Sequence, residues 1–250
     1  MFIDSHIHVG QFYDIYTSPA ELIHFLDSVG VVRFAVSSTT ICEGNYEKVI
    51  AEMKELIAIG NDRVIPVLWI VPQMLKDGGI EKFMDSGISW KCVKIHPQLH
   101  PTEWTDEKKC LNAVCAFSTT IQAPLLIHTG DKQGCYPSLF ENAIKSKPML
   151  RFILAHGRPV DEAIALMEKY ENVWVDTAFM PITNIVKCCQ AGFVDRILWG
   201  SDYPIPKYYY RGQDMKAYFT NLIKELRNSI SAEDYLKITE TNAEKLFVND

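Results

Sequence analysis

Eight short runs rich in β-branched and aromatic residues recur along this chain of 250 residues, beginning near Phe2, Val31, Val64, Cys92, Pro124, Leu150, Val173 and Ile197. Successive starts lie 29, 33, 28, 32, 26, 23 and 24 residues apart, close to the roughly 30 residues that one strand–helix–strand step occupies. Between the runs lie stretches with helical apolar spacing. Asn45 to Ile59, with Val49, Ile50, Met53, Leu56 and Ile57, is one, and Val160 to Tyr170 is another. The runs are apolar on both faces, as in PVLWIV and FILA, which suits a parallel sheet covered by helices. Eight strands alternating with eight helices predict a single (β/α)8 TIM barrel over residues 1–250. The helical stretch Ser231 to Phe247 is expected as an extra C-terminal helix packed outside the last unit. A doubly wound open sheet shares this alternation, so the placement of polar residues has to separate the two.

Asp4, His6 and His8 alternate along the first run and therefore point to one face. Later runs end in polar residues: Lys94 and His96 in CVKIHP, His128 in LLIHTG, His156 in FILAHG, Asp176 in VWVDTA and Asp202 in ILWGSDYP. In a barrel the C-terminal strand ends ring one opening, where active sites of that architecture lie. Five of the seven histidines fall at such positions. Buried imidazoles without a common partner would be costly desolvated groups. A metal ion resolves that cost, because it takes neutral imidazole nitrogen and carboxylate oxygen as ligands.

At this point the residues carry a resemblance. His-x-His on the first strand, histidines ending the fifth and sixth, and an aspartate ending the eighth resemble the amidohydrolase superfamily. The phrases KIHP, HTG, AHG and WGSDYP resemble more narrowly its amidohydrolase-related branch of metal-dependent hydrolases and non-oxidative decarboxylases. The resemblance implies that His6, His8, His128 and Asp202 hold a divalent metal, expected to be one zinc ion. It implies two ions if Lys94 is carboxylated. His156 then sits on a second metal or contacts the metal-bound water and substrate. Zinc lowers the pKa of bound water to about 7. Asp202 and His156 are the expected catalytic residues, Asp202 carrying the proton from water to leaving group. Lys94, His96 and Arg158 are expected to bind substrate, Arg158 because its guanidinium forks onto carboxylate.

Other residues read as structural. Asp176 is taken as a buried structural carboxylate, and Asp4 as either a barrel anchor or a carboxylate orienting an imidazole. His24 falls in a helical pattern, and the cysteines lack metal-finger spacing. The aromatic and basic loop from Tyr203 to Arg211 is expected to overhang the site or to serve a surface contact.

Composition narrows the function. With 31 acidic against 25 basic side chains and a net charge of −6, a nucleic-acid partner, which calls for a basic stripe, is disfavoured. DNases of the same superfamily usually bring a glutamate on a middle strand, where this chain has Lys94 and His96. Seven scattered cysteines in a chain of this size fit a reducing compartment. The start, MFIDSHIHVG, lacks a basic n-region and an apolar h-region. The longest uncharged run, Cys110 to Gly130, contains Asn112, Gln122, Pro124 and His128 and reads as a helix followed by a strand rather than a membrane span. The expectation is a cytoplasmic enzyme with an anionic small-molecule substrate, no nucleic-acid or membrane partner, and self-association into a homo-oligomer as the one protein contact allowed for. The leading activity is metal-dependent hydrolysis of a C–O or C–N bond. The alternative is metal-dependent non-oxidative decarboxylation of an unsaturated or aromatic acid.

Overall fold

A computed structural model describes residues 2–105 and 109–247. Nine strands form one sheet in the order β2-β1-β3-β4-β5-β6-β7-β8-β9. They are β1 (Phe2–Phe12), β2 (Ile15–Thr17), β3 (Val31–Ser38), β4 (Val64–Trp69), β5 (Cys92–Ile95), β6 (Leu125–His128), β7 (Phe152–Ala155), β8 (Val173–Asp176) and β9 (Ile197–Leu198). All neighbours pair in parallel except β1 and β2, a short antiparallel hairpin. Helices α1 (Pro19–Val29), α2 (Tyr46–Gly60), α3 (Gly79–Met84), α4 (Pro101–Thr105), α5 (Lys109–Thr120), α6 (Glu141–Ser146), α7 (Val160–Lys169) and α8 (Ile182–Gln190) follow the parallel strands. After β9 come α9 (Ile205–Tyr209), α10 (Met215–Ser229), α11 (Ala232–Leu236) and α12 (Asn242–Phe247), the last two joined by a π turn at Lys237–Thr241.

The sheet curls into a TIM barrel. Its edges meet through backbone hydrogen bonds rather than a ladder: Ser5 N donates to Trp199 O at 2.8 Å, Asp202 N to His6 O at 2.8 Å, and His8 N to Tyr203 O at 2.7 Å. A register shift in β1 between Asp4 and Ile7 frees Ser5 and His6 from β3 so that they can face that edge. The expected alternation holds for the eight barrel strands. The Cys110–Gly130 run is indeed α5 followed by β6.

Side-chain period sets what lies inside the barrel. Ile65, Val67, Cys92, Leu126, Ile153, Trp174 and Leu198 cluster together as an apolar interior. One step of two farther along the same strands stand Lys94, His128 and Asp176, making a polar layer above an apolar one. The C-terminal stretch is divided: Tyr235 and Ile238 pack with the outer cluster, as expected, and only the last helix lies elsewhere. Ala243, Leu246 and Phe247 of α12 join the interior cluster and cap the N-terminal end of the barrel. Trp199 N donates to Ile238 O at 2.9 Å, and the Asn242 amide donates to Val194 O and Ile197 O, each at 2.8 Å. These contacts tie the stretch under β9, where two strand residues alone offer little pairing.

Candidate metal centre

Buried hydrogen bonds fix the tautomers of the strand-end histidines. His6 Nδ1 donates to Asp176 Oδ2 at 2.9 Å, leaving Nε2 with a lone pair. His8 Nδ1 meets Ser37 O at 3.3 Å and Ser37 Oγ at 3.0 Å, and the carbonyl can only accept. His8 Nε2 therefore also carries a lone pair. His156 Nδ1 donates to Ala178 O at 2.9 Å, so its Nε2 accepts from His128 Nδ1 at 3.0 Å. His128 Nε2 lies 3.1 Å from Gln98 Oε1, and since that ring carries its proton on Nδ1, the Gln98 amide has to turn its amino group toward Nε2 to bond it.

These lone pairs converge with an anion. Asp202 Oδ1 lies 3.0 Å from His8 Nε2 and 3.5 Å from His6 Nε2. With neither nitrogen bearing a proton, Oδ1 is buried without a hydrogen-bond partner. Asp202 stays ionised, its carboxyl held far below the usual carboxylate range although burial alone would raise it. Two nitrogen lone pairs and an anionic oxygen facing one another require a positive charge between them. Lys94 supplies one: its Nζ lies 2.8 Å from His6 Nε2 and 3.1 Å from His8 Nε2 and stands over the Trp69 ring at 4.6 Å. Burial pulls the Lys94 ammonium down to about 8, partly opposed by Asp202 and Asp176.

The donor set fits a divalent ion. The ligating atoms of His6, His156 and Asp202 all lie within 4.8 Å of one another. Burial, reinforced by Lys94, pushes His8 down to about 3, and burial pushes His156 down to about 4. His96 and His128 fall well below the ordinary histidine value for the same leading reason. These imidazoles are therefore neutral at pH 7, the form that ligates a metal.

Local backbone places the two residues that follow the strands. His156 and Asp202 both take the left-handed conformation, at φ 68° and 57°. That conformation turns each side chain back toward the axis immediately beyond its strand. Asp176 Oδ1 receives the amides of His156 and Ala178, each at 3.0 Å, while Oδ2 holds His6. Burial would raise Asp176, but His6 and His156 outweigh it and the group stays ionised. Asp176, read from the sequence as structural, thus positions two site histidines at once. Asp4 serves the backbone instead, its Oδ1 accepting the amides of His6 at 3.2 Å and Ser201 at 3.1 Å.

Above this cluster opens a cavity of about 770 Å³. His8, Lys94, His96, His128, His156 and Asp202 line its floor, so every site residue named from the sequence except His6 reaches it directly, Arg158 included. One wall is a stack: Trp69 lies on His96 with ring centres 5.4 Å apart, and His96 lies on His128 at 3.8 Å. Facing it are Phe179, Tyr209 and Tyr210, so the loop after β9 does overhang the mouth. Arg158 Nε is buried without a hydrogen-bond partner. His24 is exposed on α1, away from this cavity.

Comparison with known proteins gives the chain a family and a fold. The amidohydrolase family model matches residues 3–248. No curated protein matches the chain. Among solved structures, an uncharacterised TIM-barrel protein from Bordetella bronchiseptica is similar with a TM-score of 0.70 and 17% identity, over 98% of this chain and 97% of the other. A probable 2-pyrone-4,6-dicarboxylic acid hydrolase from Acinetobacter baumannii, with citric acid bound, gives 0.67 and 14% over 98% of each chain. A 5-carboxyvanillate decarboxylase from Sphingomonas paucimobilis gives 0.67 and 13% over 98% of each. At such identities the structural likeness shows the shared fold. The family match spans nearly every residue, and the chain belongs to the amidohydrolase family.

Proposed function

We propose that the protein is a metal-dependent hydrolase of a C–O or C–N bond in a small, anionic molecule. The observation that carries this reading is Asp202 Oδ1: buried, ionised and unpartnered, facing two histidine lone pairs at the floor of an open cavity. His6, His8 and Asp202 would hold one divalent ion, zinc by the nitrogen and oxygen character of the set. The fourth ligand would come from the hydrogen-bonded pair His128 and His156. When bound, the metal lowers the pKa of water and polarises a substrate oxygen. Asp202 Oδ1 takes the proton of the attacking water and returns it to the leaving oxygen or nitrogen. His156 would steady the substrate oxygen as charge develops only after taking up a proton at Nε2, since that atom carries a lone pair in the fold. Arg158 receives the anionic group of the substrate, and the Trp69–His96–His128 stack holds its planar part. Lys94 compensates the charge of Asp202 and binds substrate; a second ion would require its carboxylation.

The unpartnered Arg158 and the flat aromatic wall also suit decarboxylation of an unsaturated or aromatic acid, as a second reading. Metal analysis and turnover on a panel of lactones, esters, cyclic amides and aromatic acids test both. The His6→Ala/His8→Ala double variant should stay folded, lose its metal and lose turnover. Undiminished metal in that variant refutes the ligand set. Carbon dioxide release without water addition would move the assignment to the decarboxylase reading.

A further inference from the structure

At the end of the barrel opposite the histidines, a second cavity of about 410 Å³ opens beside Arg33 at the start of β3, Lys54 on α2 and Lys91 just ahead of β5. Its apolar lining includes Ile57, Val64, Ile88 and Phe247. Among the described residues no carboxylate lines it. None of the three cations forms an ion pair with a described residue. Three uncompensated positive charges around one concavity run against the composition of a chain with net charge −6, and they focus a positive potential into it.

Arg33 differs from Arg63 and Arg196, which also lie near this end of the barrel. Arg63 donates to Val32 O at 3.2 Å, to Val31 O at 2.9 Å and to Asp27 at 2.7 Å. Arg196 donates to the carbonyl oxygens of Met167, Tyr170 and Val173. Both are consumed in tying strands to neighbouring elements. Among the described residues Arg33 makes no such bond, and its Nε is buried without a partner, a donor whose desolvation none of them offsets.

We propose that this cavity binds a small organic oxyanion, a carboxylate or a phosphate carried on an apolar body. The Arg33 guanidinium offers its fork to two of the oxygens, and Lys54 and Lys91 act as point charges on the rest. The apolar body rests on Ile57, Ile88 and Phe247. The site is separate from the metal centre, since the two cavities share no lining residue.

Isothermal titration of the metal-loaded protein with phenyl phosphate, phenylacetate and inorganic phosphate tests this. A saturable site besides any at the metal centre is expected for phenyl phosphate or phenylacetate, and the tighter of the two identifies the oxyanion. Binding should persist in His6→Ala/His8→Ala, which lacks the active-site ligands. It should weaken at least tenfold in Lys54→Glu/Lys91→Glu, whose exposed positions leave the melting temperature unchanged. Undiminished binding in the lysine variant overturns the proposal, as does loss of binding in the histidine variant or no saturation at millimolar concentration. Equal affinity for inorganic phosphate and phenyl phosphate overturns the apolar contact.

Discussion

Asp176→Asn isolates the part of the metal centre that lies behind its ligands. The side chain is fully buried, so the amide has to occupy the carboxylate's place. On one side two backbone donors, the amides of His156 and Ala178, each reach it at 3.0 Å. Turning the Asn amino group toward them would leave buried donors unpaired, at about 1–3 kcal/mol each. The Asn oxygen therefore keeps that side and the amino group faces His6 Nδ1, which Asp176 Oδ2 now meets at 2.9 Å. A donor there makes Nδ1 the acceptor and moves the imidazole proton to Nε2, the atom that faces Asp202 and Lys94. A protonated Nε2 cannot ligate. Loss of such an orienting partner typically costs ~10–100-fold in metal affinity, and loss of a hydrogen bond to a charged group costs ~1.5–3 kcal/mol of stability. Competition with a chelator measures the first, thermal unfolding the second, and imidazole nitrogen shifts report the His6 tautomer. A folded Asp176→Asn protein with metal affinity within twofold of the parent and His6 still protonated at Nδ1 would refute the reasoning.

Asp202→Asn should lower turnover by ~10²–10⁴ from the lost proton transfer alone, measured as kcat at saturating metal; a loss below tenfold would remove Asp202 from that role. Replacing His128 and His156 separately by Asn should identify the fourth ligand, because the variant with the larger drop in metal content marks it, while equal drops place both imidazoles on metal. Metal-free protein should lose stability as pH falls below about 6.5. His8 and His156 titrate at about 3 and about 4 in the fold, so the unfolded chain binds more protons from 6.5 downward, and each such histidine forfeits about 2 kcal/mol by pH 5. A melting temperature flat from pH 7.5 to 5 in chelator-treated protein would contradict that.

The barrel was legible because its strands are buried on both faces and return every 23–33 residues, a rhythm that few other architectures share. The hairpin strand Ile15–Thr17 was not, since three residues with an exposed tyrosine at their centre make no run. The last helix of the C-terminal stretch was legible as helix but not in place. Its apolar residues would serve equally against the outer helices or under the barrel, and a two-residue β9 leaves the floor as the larger uncovered apolar surface.

The site was legible as a set of residue types and not as a set of partners. Asp4 stands two residues from His6 on one face and Asp176 ends an apolar run, and neither placement tells which one meets an imidazole. Strand stagger decides it. The register shift in β1 turns His6 toward the far edge of the barrel, where β8 brings Asp176 behind the ring, while Asp4 is left to the amides of His6 and Ser201. The only sequence signal was the apolar run Val173–Val175 ending in an acid, the same signal that picked out Asp202 in its looser form. The choice between His128 and His156 was likewise beyond strand periodicity. His128 ends its strand in phase with Leu126, but His156 follows Ala155 out of phase and reaches the axis only through a positive φ. An acceptor two residues past the end of β8, Ala178 O, then sets which of the two rings presents a lone pair to the other. Such a relay depends on three strands arriving at one height. It can be read from coordinates, where each proton has one acceptor, and not from the spacing of histidines along a chain.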